Sequence, residues 1–196
     1  MTAALSPDDF DDLHDFIKTQ VAAGYVPVTE ILDDVVEIFA DANVDTSALL
    51  AAARVVADQA LRAHLAEQAT WPERTDCDRL DDAFAELDRS GILARQHFSC
   101  CGTCGLDEIR DEMGQLDKAG QPTRGFTFFH VQDTEHAVAG ESLYLSYGAA
   151  NRDQEASVEI GHEVVATLSR HGLRPAWNGK IAHRIALPLT WQRRRS

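Results

Sequence analysis

The spacing of apolar residues changes near Gly91, and this change constrains the fold more than any other feature of the chain. Before Gly91, apolar side chains recur at helical spacing in four successive segments. After it, short runs of aromatic and β-branched residues alternate with polar turns, as strands do. The pattern predicts an α+β fold, with an N-terminal helical bundle followed by a mostly antiparallel sheet with packed helices.

Two of the four predicted helices have clear end signals in the sequence. Ser6 precedes Pro7, which provides an N-cap residue and a proline at the first helical position. Gly24 ends the same helix, since glycine readily adopts the left-handed conformation of a C-terminal cap. Thr75 begins the fourth helix, and Asp78 stands where the second partner of a capping box is expected.

The helical pattern breaks at Trp71-Pro72, because proline disfavours helical dihedral angles at the residue before it. We therefore predict two regions, an acidic helical region over residues 1–70 and an α+β domain over residues 71–196. No flexible linker separates them, so the boundary is expected to be a hinge within one packed unit.

The second region contains predicted strands, helices and one hairpin. We expect a type I′ turn at Asn178-Gly179, because this dipeptide accepts the positive φ angles of such turns. The predicted strands are 92–98, 126–131, 142–147, 174–177 and 183–187, and the predicted helices are 106–113 and 154–171.

The charge is strongly acidic and unevenly distributed. The net charge is -14, from 32 Asp and Glu against 18 Lys and Arg, which repels phosphate backbones and argues against nucleic-acid binding. Residues 1–46 hold eleven acidic side chains against Lys18 alone. We expect this acidic helical region to be a surface for a protein partner. The basic run Arg193–Arg195 is interpreted as a solvated chain end.

The sequence predicts a cytoplasmic protein that does not bind a membrane. No apolar run approaches the ~20 residues of a spanning helix, and residues 1–12 lack the pattern of a signal peptide. The four cysteines are thus expected to be reduced, which favours metal binding or thiol chemistry over a disulfide framework.

Three interpretations compete for the segment Cys100-Cys101-Gly102-Thr103-Cys104. Cys101 and Cys104 have the Cys-x-x-Cys spacing that lets two thiolates share one zinc ion. The same two thiols stand before a helix, where amide dipoles lower a thiol pKa and favour redox chemistry. Alternatively, the cysteines are unreactive packed residues, and this interpretation has the largest single weight. The candidates for the further zinc ligands are Cys100, His130, His97 and Cys77.

A second polar cluster follows a predicted strand and contains His130, Asp133 and Glu135. Carboxylates beside imidazoles form metal sites or acid–base pairs. A simpler alternative is that Asp133-Thr134 caps the turn after the strand, and the sequence favours this alternative.

Several motifs in combination carry a resemblance to a family. They are Trp71-Pro72-x-x-Thr75-Asp76-x-Asp78-Arg79-Leu80, Cys100-Cys101-x-x-Cys104-Gly105 and Phe129-His130-x-Gln132-Asp133-Thr134. Over residues 71–194 the chain resembles an uncharacterised bacterial family of unknown function. The resemblance implies membership and brings no activity, substrate or catalytic residues with it.

The function most consistent with these patterns is a non-catalytic intracellular binding or interaction protein with a zinc-stabilised cysteine turn. The alternative is a thiol-dependent redox enzyme or a metal-dependent enzyme that uses the Cys-x-x-Cys segment. The chain lacks a P-loop, a GxGxxG motif and an HExxH motif, which argues against the common nucleotide-binding and metalloprotease mechanisms.

Overall fold

The computed structural model describes residues 6–39 and 45–195. The chain divides into two compact units, Met1–Glu73 with Gln192–Ser196, and Arg74–Trp191. Within the described residues, none of the helices is both long enough and apolar enough to cross a membrane. The helices of the first unit are α1 (Pro7–Ala23), α2 (Val28–Ile38) and α3 (Thr46–Gln68).

The first unit is a bundle in which α1 and α2 both pack against α3. Its core is formed by apolar residues that recur at helical spacing: Leu13, Ile17, Val21, Ile31, Val35, Leu49, Ala53, Val56 and Ala57. The predicted ends of α1 are present. The Ser6 hydroxyl accepts a hydrogen bond from the Asp9 amide at 3.1 Å, and Gly24 adopts a left-handed φ of 77°.

The basic C-terminal run is not a solvated end, and this corrects the sequence-based interpretation. The Arg195 guanidinium donates to the backbone carbonyls of Gln20, Val21 and Val26, at 2.8, 2.6 and 3.0 Å. The Gln68 amide holds the Arg195 backbone in place, with hydrogen bonds of 2.7 and 2.9 Å. The physical reason is that the carbonyls at the C-terminal end of α1 carry the negative end of the helix dipole and attract a cation, and the Val26 carbonyl in the loop after it is within reach of the same guanidinium.

The second unit confirms the predicted α+β class. Its elements are α4 (Asp76–Arg89), β1 (Ile92–Arg95), α5 (Gly102–Lys118), β2 (Gly125–Phe128), α6 (Val131–Val138), β3 (Leu143–Ala149), α7 (Gln154–Arg170) and β4 (Ile185–Leu187). The sheet order is β1-β2-β3-β4. The β1–β2 pair is parallel, with α5 as its crossover, and the other two pairs are antiparallel.

Two predicted strands end earlier than expected, for local reasons. β1 ends at Arg95 because His97 and Ser99 have positive φ angles of 50° and 64°, which strand geometry excludes. β2 ends at Phe128, and His130 becomes the N-cap of α6 in a segment predicted as strand and turn. The helix predicted over 106–113 is longer at both ends, because it begins inside the cysteine segment.

The predicted type I′ turn at Asn178-Gly179 was wrong, because Gly179 has a positive φ angle and Asn178 does not. Ala176 and Ala186 form an isolated antiparallel bridge, and residues 177–184 make a longer connection to β4. Side chains stabilise this connection. The Trp177 indole donates to the His183 carbonyl at 3.0 Å, and the Asn178 side chain accepts from the Lys180 amide at 3.0 Å.

Close packing of α5 against β2 sets the position of the cysteine segment. An alanine Cβ at Gly105 would lie 2.5 Å from Cε2 of Phe128, so only glycine allows this approach. Beneath it lies an apolar cluster of Leu93, Ile109, Met113, Phe126 and Phe128.

Candidate functional site

The cysteine segment is joined on its N-terminal side to the start of α6. The Phe98 amide donates to the Phe129 carbonyl at 2.9 Å, and the Val131 amide donates to the Ser99 carbonyl at 3.1 Å. The Ser99 hydroxyl also donates to Glu108 of α5 at 2.9 Å. These bonds hold Ser99 in its left-handed conformation, which costs a non-glycine residue on the order of 1–3 kcal/mol.

Cys101 is the N-cap residue of α5. Its sulfur accepts a hydrogen bond from the Cys104 amide at 3.5 Å, and its carbonyl accepts from the Gly105 amide at 2.9 Å. A thiolate at this position faces the positive end of the helix dipole and unpaired amide groups. The helix therefore stabilises a negative charge on Cys101.

The structure brings three of the predicted ligands together. The sulfur atoms of Cys100, Cys101 and Cys104 all lie within 4.8 Å of one another. Cys100 is exposed, whereas Cys101 and Cys104 are partly buried. The cluster is therefore open to solvent at Cys100 and partly covered at Cys101 and Cys104.

The thiols of this cluster have different acidities. Hydrogen bonding lowers the pKa of Cys101, first through the Cys104 backbone amide and then through the Cys104 thiol. The pKa of Cys104 is raised to about 12, because its thiol hydrogen-bonds to Cys101 and Cys100 and because thiolates at those positions repel a third negative charge. Without a bound cation, the cluster therefore favours a thiolate at Cys101 and a protonated thiol at Cys104.

His130 lies beside the cysteine segment and outside the three-cysteine cluster. A Cβ added at Gly102 would stand 3.7 Å from its Nε2. Its Nδ1 accepts from the Asp133 amide at 3.3 Å, so the neutral ring carries its proton on Nε2, 3.1 Å from the Asp133 carboxylate. The imidazole thus caps α6, and a metal bond through Nε2 would require the proton to move.

Asp133 belongs to a charged network that the sequence did not reveal. Asp133 is 3% exposed, and its carboxylate accepts a hydrogen bond from the His130 amide at 3.1 Å. Both terminal nitrogens of Arg184 donate to the same carboxylate, and the distance from Nη1 to Oδ1 is 3.0 Å. Burial lowers the pKa of His130, and the Asp133 charge partly opposes that effect. Arg184 lies 51 residues away in sequence, and no local pattern pairs it with Asp133.

The other candidates occupy separate positions. The His97 Nδ1 is 3.0 Å from the Thr134 hydroxyl, where it joins the cysteine loop to α6. Cys77 is buried in the apolar face of α4, and Glu135 is partly exposed on α6. Among residues 6–39 and 45–195, none of these three belongs to the cysteine cluster. Their roles as ligands remain predictions.

Comparison with models of protein families identifies the family of this chain. One family model matches residues 6–195, and its description is "Domain of unknown function (DUF6891)". The chain belongs to the DUF6891 family. The match includes the N-terminal helices and so extends beyond the range 71–194 over which the motifs suggested a resemblance. No curated protein and no solved structure matches the chain. In this DUF6891 protein, the three-cysteine cluster beside the N-terminus of α5 is the candidate site.

Proposed function

We propose that this protein is a non-catalytic metal-binding protein that binds a thiophilic ion, with zinc as the expected metal, through Cys100, Cys101 and Cys104. The observation that supports the proposal is the mutual approach of the three sulfur atoms to within 4.8 Å. Thiolates are soft ligands that select zinc and copper(I) over magnesium and calcium.

The dimensions of the cluster are close to those of a zinc site. Sulfur atoms about 2.3 Å from a tetrahedral zinc ion lie ~3.8 Å apart, so a contraction of at most about 1 Å completes the geometry. The helix N-terminus stabilises the thiolates, and the net charge of -14 attracts cations. Three protein ligands leave a fourth position for water or for a residue outside the cluster.

Zinc binding would join the loop before α5 to the first turn of the helix. In the folded chain the sulfurs are already close, whereas the unfolded chain has no such arrangement, so bound metal stabilises the fold. The ion also favours deprotonation of its ligands, and this removes the acidity difference between Cys101 and Cys104.

The test is the metal content and thiol accessibility of protein purified without a metal-affinity step. We expect one zinc per chain, protection of three thiols from alkylation, and loss of zinc in Cys101→Ser and Cys104→Ser. Cys77→Ala is the matched control, because this buried thiol lies outside the cluster and its removal should leave the zinc content unchanged. Full-length protein that takes up no zinc from a buffered solution would overturn the proposal.

A second candidate function, thiol–disulfide exchange, is favoured by the difference in acidity between Cys101 and Cys104. The Cys101 thiolate would attack an external disulfide such as oxidised glutathione, whose S–S bond breaks as one glutathione thiolate leaves. Cys104 would then lose its proton and attack the mixed disulfide, releasing the second glutathione. The two protein thiols are thereby oxidised to a Cys101–Cys104 disulfide, and their two electrons reduce the glutathione disulfide to two molecules of glutathione.

The redox candidate is tested by trapping. Zinc-free Cys104→Ser should accumulate a glutathione adduct on Cys101, and Cys101→Ser should accumulate far less on Cys104. The mass of the intact chain distinguishes the adduct from the internal disulfide. Equal adduct formation by the two variants would contradict an ordered exchange reaction.

The acidic helical region supports a proposal about a partner. Asp8, Asp11 and Asp12 are exposed on α1, and Phe10 between them is 43% exposed. This surface fits a partner segment that carries both basic and apolar side chains. Charge reversal of Asp8, Asp11 and Asp12 should abolish capture of such a partner. Asp9 is left unchanged, because its carboxylate accepts from the Ser6 amide at 3.3 Å and caps α1.

A further inference from the structure

An open cavity along one face of α5 is separate from the cysteine cluster, and most of the residues that line it are exposed. Its volume is about 390 Å³, within the ~300–1,000 Å³ of small-molecule pockets. One face of α5 forms a wall, since its lining residues recur at spacings of three and four. Its lining includes Arg110, Met113, Gly114, Asp117, Thr123 and Arg152.

The two arginines of this cavity lack partners in the structure. Among residues 6–39 and 45–195, neither Arg110 nor Arg152 makes a side-chain hydrogen bond or an ion pair. The chain contains 32 acidic residues against 18 basic ones, so carboxylates are abundant. One carboxylate, that of Asp117, also lines the cavity, and two guanidinium groups outweigh its charge. The lining therefore favours an anion.

Gly114 keeps one wall of the cavity open. It lies in the interior of α5, where glycine destabilises a helix relative to alanine. Packing does not require it, because no atom lies within 4 Å of the Cβ that a side chain would add. Gly105 of the same helix is the contrasting case, because Phe128 occupies that space. The missing side chain at Gly114 leaves the cavity larger and makes the helix less stable than alanine would.

Thr123 contributes an unsatisfied polar group to the same wall. Its Oγ1 is buried and has no hydrogen-bond partner in the part of the chain that the structure describes. A buried hydroxyl without a partner destabilises the fold. Because this oxygen is inaccessible to solvent, an acceptor atom of a ligand in the cavity would reach it only after the Thr123 side chain rotates. Met113, Pro122 and Ala150 supply the apolar part of the lining, which fits a ligand that combines an oxyanion with an apolar body.

We infer that this cavity binds a small organic oxyanion, a carboxylate or a phosphate ester with an apolar body, between Arg110 and Arg152. The inference does not depend on metal or redox chemistry at the cysteines. Guanidinium groups bind both kinds of oxyanion through charge-assisted hydrogen bonds. The experiment distinguishes the two.

The test is an NMR titration of the full chain, free of zinc, with phenyl phosphate, benzoate and the neutral benzamide. We expect at least one anion to shift the amide signals of Gly114, Thr123 and Arg152, and the tighter anion identifies the ligand class. Benzamide at the same concentration should leave these signals unchanged. The inference is overturned if none of the probes shifts these signals, or if benzamide binds as tightly as the anions.

Matched variants connect any binding to the proposed residues. Arg110→Gln and Arg152→Gln should each weaken anion binding by about tenfold or more, because each removes a charged donor. Arg54→Gln removes the same charge from an exposed site in the helical unit and should leave the affinity unchanged. Gly114→Leu should abolish binding by filling the cavity, with Gly114→Ala as a control that keeps the helix. Wild-type affinity in both arginine variants would contradict the proposed site.

Discussion

The backbone amide of Cys104 donates a hydrogen bond to the sulfur of Cys101 at 3.5 Å, so two thiols three residues apart acquire different acidities. The sulfur that accepts is at the helix N-terminus, where negative charge is favoured. The other sulfur is a hydrogen-bond donor within the cluster and keeps its proton. This asymmetry is present before any ion or oxidant binds.

We predict that the two thiols alkylate with different pH dependences. In zinc-free protein, Cys101 should become reactive below the ordinary thiol pKa, whereas Cys104 should remain slow until the pH approaches its pKa of about 12. Peptide mapping by mass spectrometry after pulses of iodoacetamide measures each site. Buried Cys77 is the internal control for unfolding and should stay unlabelled. Identical pH midpoints for Cys101 and Cys104 would contradict the assigned asymmetry.

Gly105→Ala should destabilise the protein by about 1–3 kcal/mol, because the added methyl group overlaps Phe128 and displaces α5 from β2. Gly114→Ala is the matched control in the same helix, where the space is open. There the same substitution should raise the free energy of unfolding by about 0.5–1 kcal/mol. Urea unfolding followed by circular dichroism measures both. A neutral Gly105→Ala would show that the close approach is not required.

Arg195→Met should destabilise the helical unit by about 1–3 kcal/mol, because it removes the guanidinium that donates to two carbonyls in the last turn of α1 and to the Val26 carbonyl in the loop after it. Methionine keeps much of the apolar length of the side chain, so the loss reports mainly on the hydrogen bonds. Hydrogen exchange should become faster in the last turn of α1. Arg54→Met, at an exposed position of α3, is the control and should unfold like the wild type.

Two histidines should make stability decrease in mild acid. Burial is the largest effect on His64 and His130 and lowers the pKa of each below the usual 6.5. The unfolded chain therefore binds more protons than the folded chain as the pH falls through 6.5, and the free energy of unfolding decreases with it. Unfolding curves between pH 7.5 and 5 measure the slope. His130→Gln should reduce the slope, and an unchanged slope in a His64→Gln/His130→Gln double variant would contradict the assignment.

Local sequence signals determined much of the fold. Apolar spacing places α1 to α4 and α7, and the caps Ser6 and Thr75 act as predicted, because capping depends on residues three positions apart. The α+β class follows from the change of period near Gly91. The proximity of Cys101 to Cys104 is likewise local, since a helix N-terminus brings residues at this spacing together.

Tertiary structure decided what depends on distant residues. The Asp133–Arg184 pair spans 51 positions, and the Arg195 contacts with α1 and the loop after it span 169 to 175, so no local pattern contains either. The hairpin near Asn178 was displaced because Trp177 and His183 form a longer loop than the dipeptide alone would make. The sequence determined that three cysteines are close in the chain. The tertiary structure places their sulfur atoms together at an accessible helix end. It does so through the packing of Gly105 on Phe128 and the hydrogen bonds from the cysteine loop to α6.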